Sequence, residues 1–168
     1  MKTSDAVAKI KLAVHDRGNT YSTAECINLL NTAIQEASAI LIAGGSPLMV
    51  SETVIHDGDV LPDNFMRPAG TYPIRRTGYT VSFLDDTTEM RFRYFATKDN
   101  LEDSSGSLPF IHDAVNESVL RLAIIMALNE NEFDCAQDSA LLNELKSAIA
   151  QGLGGEQCSI HYQASLRR

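Results

Sequence analysis

The chain has 168 residues, 44% hydrophobic and 21% charged, with no Trp, a net charge of −8 and a pI near 4.9. Those totals describe one globular domain long enough to bury a core, and they exclude a disordered chain. The acidic balance argues against capture of nucleic acid through a basic footprint and favours solubility. Three cysteines, Cys26, Cys135 and Cys158, form an odd set without a C-x-x-C pair. That is no disulfide framework, and a reducing compartment is expected. Charges break every apolar run of the N-terminus "MKTSDAVAKIKLAVHDRGN", so it does not resemble a secretory signal. No apolar stretch approaches the roughly 20 residues that span a bilayer. The expectation is a soluble protein made in the cytoplasm, or in a particle assembled there.

The first predicted helix runs from Ser4 to about Arg17. Ser4 is placed to cap it, and Asp5 lies in the first turn, where a negative charge suits the helix dipole. Val7, Ile10 and Val14 repeat at helical spacing, and Gly18-Asn19 closes the segment. The second predicted helix runs from Ser22 to about Ala43. Its "STAE" opening is a capping box in which Ser22 caps and Glu25 reaches back. Ile27, Leu30, Ile34, Ala37 and Leu41 make one stripe, and Gly44-Gly45 stops the helix just before Pro47.

Residues 48–98 change character. "LMVSETVIHDGDV" and "YTVSF" are short, β-branched or aromatic, and bounded by turn residues. "MRFRYF" alternates, with Met90, Phe92 and Tyr94 on one face and Arg91, Arg93 and Phe95 on the other. The intervening "LPDNFMRPAGTYP" and "LDDTTE" are turn-rich. A small antiparallel unit of three or four strands, inserted between helices, is predicted.

After the polar loop "KDNLEDSSGS", a third helix is predicted from near Leu108-Pro109, with Pro in the first turn. Ile111, Val115, Val119, Leu122 and Met126 form one stripe, and Leu120, Ile124 and Leu128 form a second. A fourth helix opens at Asp134 with Gln137 as its capping-box partner. Its stripe is Leu141, Leu145, Ala148 and Ile149, and Gly152, Gly154 and Gly155 end it. The fold class expected is mainly α: a four-helix bundle-like core with a small antiparallel β unit between helices two and three. Residues 1–157 would form this single domain, with the β insertion at about 48–98, and residues 158–168 an extended C-terminal tail.

Charge is segregated along the chain. Residues 1–61 are net −3, 62–98 net +2, 99–157 net −9, and the last eleven net +2. A search for chemistry finds little. His15, His56, His112 and His161 are scattered, with none at i, i+4 from another and none at ligand spacing from a Cys. "AGGSP" (43–47) lacks the Lys-Ser/Thr of a phosphate loop and follows a helix, so a helix C-cap explains it better. No G-x-S-x-G is present. "LDDTTE" offers Asp85, Asp86 and Glu89 as close carboxylates for a divalent ion or for acid–base work in a small hydrolase or nuclease. A solvated turn is the simpler account. "RFRYF" looks like a basic, aromatic strand of a nucleic-acid-binding sheet, although any half-buried strand gives the same string. The third helix is apolar on two faces and must be covered on two faces, either within the chain or by a neighbouring subunit.

The order of features resembles the head–tail connector (adaptor, or head-completion) proteins of tailed bacteriophages. The resemblance runs through "AECINLLNTAIQEAS", "VLPDNFMRPAG", "YPIRR" and "LPFIHDAVNESVLRLAIIMALNENEFDCAQDSALLNELKSAIAQGL", roughly residues 3–153. It implies a structural virion protein without enzymatic activity or cofactor. Such proteins form a homo-oligomeric ring, usually a dodecamer, beneath the portal protein. The ring extends the DNA channel, with DNA only as passing cargo, and gives tail proteins a platform. The location implied is the virion neck, and no membrane is involved. Portal docking would fall on the tail, with Ile160, Tyr162 and Leu166 as apolar anchors and Arg167 and Arg168 as charge anchors. Subunit contacts would fall on Leu120, Ile124 and Leu128 and on Arg91 and Arg93, since ring contacts are heterologous. The alternative is a tail-completion or other helical oligomeric binding module without portal contact.

Overall fold

The computed structural model describes residues 1–15 and 20–129, together with 143 and 147. In chain order it has α1 (Thr3–His15), α2 (Thr23–Ala43), a 3-10 turn (Pro47–Met49), β1 (Val50–His56), β2 (Phe65–Pro68), β3 (Ile74–Thr77), β4 (Thr80–Phe83), β5 (Glu89–Ala96) and α3 (Asp113–Asn129). The four-helix bundle-like core is corrected by this. Among the described residues, three α-helices and two antiparallel sheets make an α+β fold. Of the predicted fourth helix only Asn143 and Ser147 are described, both as helical; its other residues, the tail 158–168 and the Gly18-Asn19 stop lie outside the described residues.

Local chemistry explains the helix ends. Ser22 Oγ accepts the Glu25 N–H at 3.2 Å, and the Glu25 carboxylate accepts the Ser22 N–H at 2.7 Å, so the predicted capping box is formed. The Ser22 hydroxyl and N–H together hold the Glu25 carboxyl below its usual range. At the other end Gly45 has φ +71°, the Ser46 N–H donates to the Leu41 carbonyl, and the Gly45 N–H donates to the Ile42 carbonyl. That is a Schellman closure, which requires the left-handed residue glycine supplies. The first helix begins one residue before the expected cap. Thr3 is already helical, and its N–H is satisfied by the Gly106 carbonyl across the molecule. Ser4 therefore lies inside the helix rather than at its cap.

The helices share one core. Ile10, Val14, Leu30, Ile34, Val119 and Leu122 are each fully buried in it. α3 packs on both α1 and α2. α2 is long and apolar enough to cross a bilayer by length and composition, yet its stripe is buried in this core. The predicted start of α3 was too early. Leu108 and Phe110 are buried, but they precede the helix, and Ile111 is 83% exposed. Asn116, itself buried, accepts the Phe110 N–H at 3.3 Å and donates to the Phe110 carbonyl at 2.8 Å, which pins the chain ahead of the helix. A backbone bonded in that way is not free to coil, so Pro109 stands outside the first turn.

The insertion holds five strands rather than three or four. β1, β5 and β2 form one sheet with β5 in the centre, and β3 pairs β4 in a second. β2 comes from the stretch expected to be turns, and β3 follows directly after it. Pro68 is tolerated because β2 is an edge strand, and a register shift between Phe65 and Arg67 bends it. Gly78-Tyr79 is the two-residue turn between β3 and β4, with positive φ only at Gly78, the pattern of a type II′ turn. The two sheets close on an aromatic core of Phe65, Phe92 and Tyr94, joined by Ile55, Leu61, Val81 and Ala96. The β1–β2 loop stitches them together. Asp57 accepts the Phe83 N–H at 2.7 Å, and the Asp59 carbonyl accepts the Val81 N–H at 2.9 Å.

Candidate interaction surfaces

The predicted alternation of β5 holds along most of its length. Phe92 and Tyr94 face the aromatic core, and Arg91 and Arg93 face solvent. Phe95 departs from it. It lies on the arginine face but is buried in the helical core, because there the sheet meets α2. The register sets the rest of that face. Glu52 stands opposite Arg93, Val54 opposite Arg91, and His56 opposite Glu89. The result is an open sheet face beyond the helices, with half-exposed Val54 among charges. Arg91 Nη1 is 3.7 Å from Glu52 Oε1, and His56 approaches Asp59 at 3.2 Å and Glu89 at 3.9 Å. These pairs are solvent-exposed, so screening leaves them little net stabilisation. They set side-chain positions more than stability. The backbone N–H of His56, at 2.7 Å, and its ring hold the Asp59 carboxyl below its usual range.

The structure divides the residues expected at a subunit interface. Arg91 and Arg93 are exposed on the open face. Leu120 is 2% exposed inside the chain's own helical core and is not free to meet a neighbour. This corrects its assignment: α1 and α2 cover two sides of α3, and the second apolar stripe is satisfied largely within the chain. Ile124 and Leu128 are partly buried against the same core. Ile160, Tyr162, Leu166, Arg167 and Arg168 lie outside the described residues.

A second surface was not anticipated. Down one side of α2, Asn31, Gln35 and Ser38 hold the segment that follows β5. Asn31 exchanges two hydrogen bonds with the Leu101 backbone, at 2.7 and 3.1 Å. Gln35 donates to the Lys98 carbonyl at 2.8 Å and to Asn100 at 2.9 Å, and Ser38 accepts the Lys98 N–H at 3.4 Å. Beside this seam lies an open groove of about 440 Å³ lined by Asn31, Thr32, Gln35, Glu36 and Asn100. The available signal was a polar stripe at i, i+4 and i+7 flanking the apolar one. It assigns a partner to the start of the loop "KDNLEDSSGS". Further along, the Ser105 hydroxyl and N–H bond Asp103 and hold its carboxyl below the usual range.

The chemistry-bearing candidates take structural places. Asp85 accepts the Thr87 N–H at 3.2 Å within the β4–β5 connection. Among the described residues, no group of three or more His, Cys, Asp or Glu is arranged to hold a metal ion. Cys26 is buried in the helical core, and burial pushes its thiol up, away from the reactive thiolate. "AGGSP" closes α2 and then opens the 3-10 turn, with Ser46 as its N-cap. The described surfaces include an open mixed-charge sheet face, an amide-lined groove, and exposed Val60, Met66, Tyr79 and Leu84 on the β unit. No protein-family model matches the chain, and no curated protein matches it.

Proposed function

We propose that the chain is a structural connector of the tailed-phage neck, a homo-oligomeric ring beneath the portal that extends the DNA channel and seats the tail. The observation that carries this reading is the arrangement of the chain. Two helices lead into a β excursion with an open face, and a helix packed on both of them follows, in the order the resemblance implies. Charge supports it. A body of net −8 lets DNA slide without sticking, whereas the net-positive segment 62–98 offers arginines to acidic protein neighbours. With Leu120 occupied inside the chain, contacts between copies fall on the sheet face bearing Arg91 and Arg93, and on surfaces beside Ile124 and Leu128. Portal docking falls on Ile160, Tyr162, Leu166, Arg167 and Arg168.

Purified chain mixed with its portal, followed by sizing and electron microscopy, tests the reading. A ring seated on the portal is expected. Deleting 159–168 should abolish head–tail joining while the circular dichroism of the fold stays intact. Absence of any portal association would favour the alternative, a helical oligomeric module acting elsewhere in the tail.

A further inference from the structure

The helical and β units have separate cores, and the way they are joined is unusual in one respect. The chain passes between them twice, at the start of β1 and at the end of β5. These two crossings are neighbours in one sheet, with Val50 paired to Phe95. A unit attached through two adjacent antiparallel strands can tilt about that pair, because no covalent link holds its far side. On the other side of β5 stands β2, and Ala69 just after it packs against the edge of the helical core. From β2, Arg67 reaches to the helical unit. Its Nη2 donates to the Ile42 carbonyl at 2.7 Å, and its guanidinium lies over the Phe95 ring, 4.1 Å from the centroid. α2 has no basic residue in its last turn, so Arg67 supplies from outside the cation that a helix C-terminus favours.

We infer that the β unit is hinged at the Val50–Phe95 pair and that Arg67 is the clasp that sets its angle on the helices. Arg67 is suited to this, because its planar fork stacks and donates at once, which a lysine does not do. The Ile42 carbonyl also accepts the Gly45 N–H of the Schellman closure, so the clasp and the end of α2 share one acceptor. The inference stands on the contacts of Arg67 alone and does not depend on the proposed function.

Residual dipolar couplings on the full chain test it. In the native protein one alignment tensor should fit amides of both units. In Arg67→Ala the β-unit couplings should shrink and require a second tensor, and Gly45 amide protection should fall about tenfold, the order expected for losing a charge-assisted hydrogen bond with its stacking. Should Arg67→Ala fail to fold, Arg67→Lys carries the test: it keeps a donor but loses the stacked plane, and the same split should appear at smaller size. A single common tensor with unchanged Gly45 protection in the folded variant overturns the clasp.

Discussion

Ile34 in α2 and Phe92 in β5 are both fully buried, yet they are held by different means. Ile34 belongs to a largely aliphatic core of Ala, Val, Ile and Leu set at helical spacing on three helices, which Met49, Phe95 and Phe110 join from outside them. Phe92 sits among rings, with centroids of Tyr72 at 4.8 Å, Tyr94 at 5.8 Å and Phe65 at 6.0 Å. The helical core is built from many small, interchangeable contributions. The β core concentrates its burial in a few aromatic side chains from short strands. Arg76, 5.2 Å above Phe65, forms part of its lid. A short strand contributes only two or three inward positions, so each must be large to enclose a core.

The strongest way to break that comparison is to empty both cores. Phe92→Ala should cost about 4 kcal/mol and Ile34→Ala about 3 kcal/mol, from lost transfer energy plus the cavity left behind. Denaturant titrations measure both. Amide exchange then distinguishes them: Phe92→Ala should loosen residues 50–96 first, whereas Ile34→Ala should loosen the three helices together. Uniform loosening by Phe92→Ala would mean that the two cores act as one.

Asn116→Ala comes next, at about 2 kcal/mol, because the buried N–H and carbonyl of Phe110 lose their partners. Thermal unfolding checks this, and the loss should fall on the helical unit. The turns give a smaller contrast. Gly45→Ala and Gly78→Ala each force a side chain into positive φ, at about 1 kcal/mol apiece. The first should lower protection at the end of α2, and the second only in the β3–β4 hairpin. Acid sharpens the comparison least but touches both units. Glu25, Asp59 and Asp103 each have a carboxyl held below its ordinary value by hydrogen bonds. A lowered folded-state value means that the stabilisation is fully present above the ordinary carboxylate range, about pH 4. It is lost as pH falls through the lower folded values. Glu25→Gln should flatten part of that acid dependence in the helical unit, while Asp59→Asn should do so in the β unit. All three carboxylates are exposed, so the effects on melting temperature should be small.

The parts of the fold legible in the sequence were those written within a few residues. The box Ser22–Glu25, the stripe through Ile27 and Leu41, the glycine stop and the alternation of β5 all appear as expected. The parts that were not legible depend on distant partners. Ser4 looks like a cap until the Gly106 carbonyl takes the Thr3 N–H. Pro109 looks like a first-turn residue until Asn116 ties down Phe110. β2 carries Pro68 within a turn-rich stretch, and it becomes a strand because β5 offers it a ladder. Of the surface candidates, the positions of Arg91 and Arg93 followed from strand period alone. The assignment of Leu120 to an interface did not survive, because amphipathicity says that a face must be covered and not by what.

By itself the sequence determined the period, the caps and the charge segregation, since these arise from side chains and backbone groups a turn or a strand step apart. Which face of α3 is covered by which helix, why Phe95 on the arginine face is buried in the helical core, and how Arg67 comes to close the end of α2 were decided only by the tertiary structure. The physical reason is that burial and hydrogen-bond satisfaction are settled by whatever group lies nearest in space. For residues such as Arg67 and Ile42, 25 positions apart, only the packed chain says which group that is.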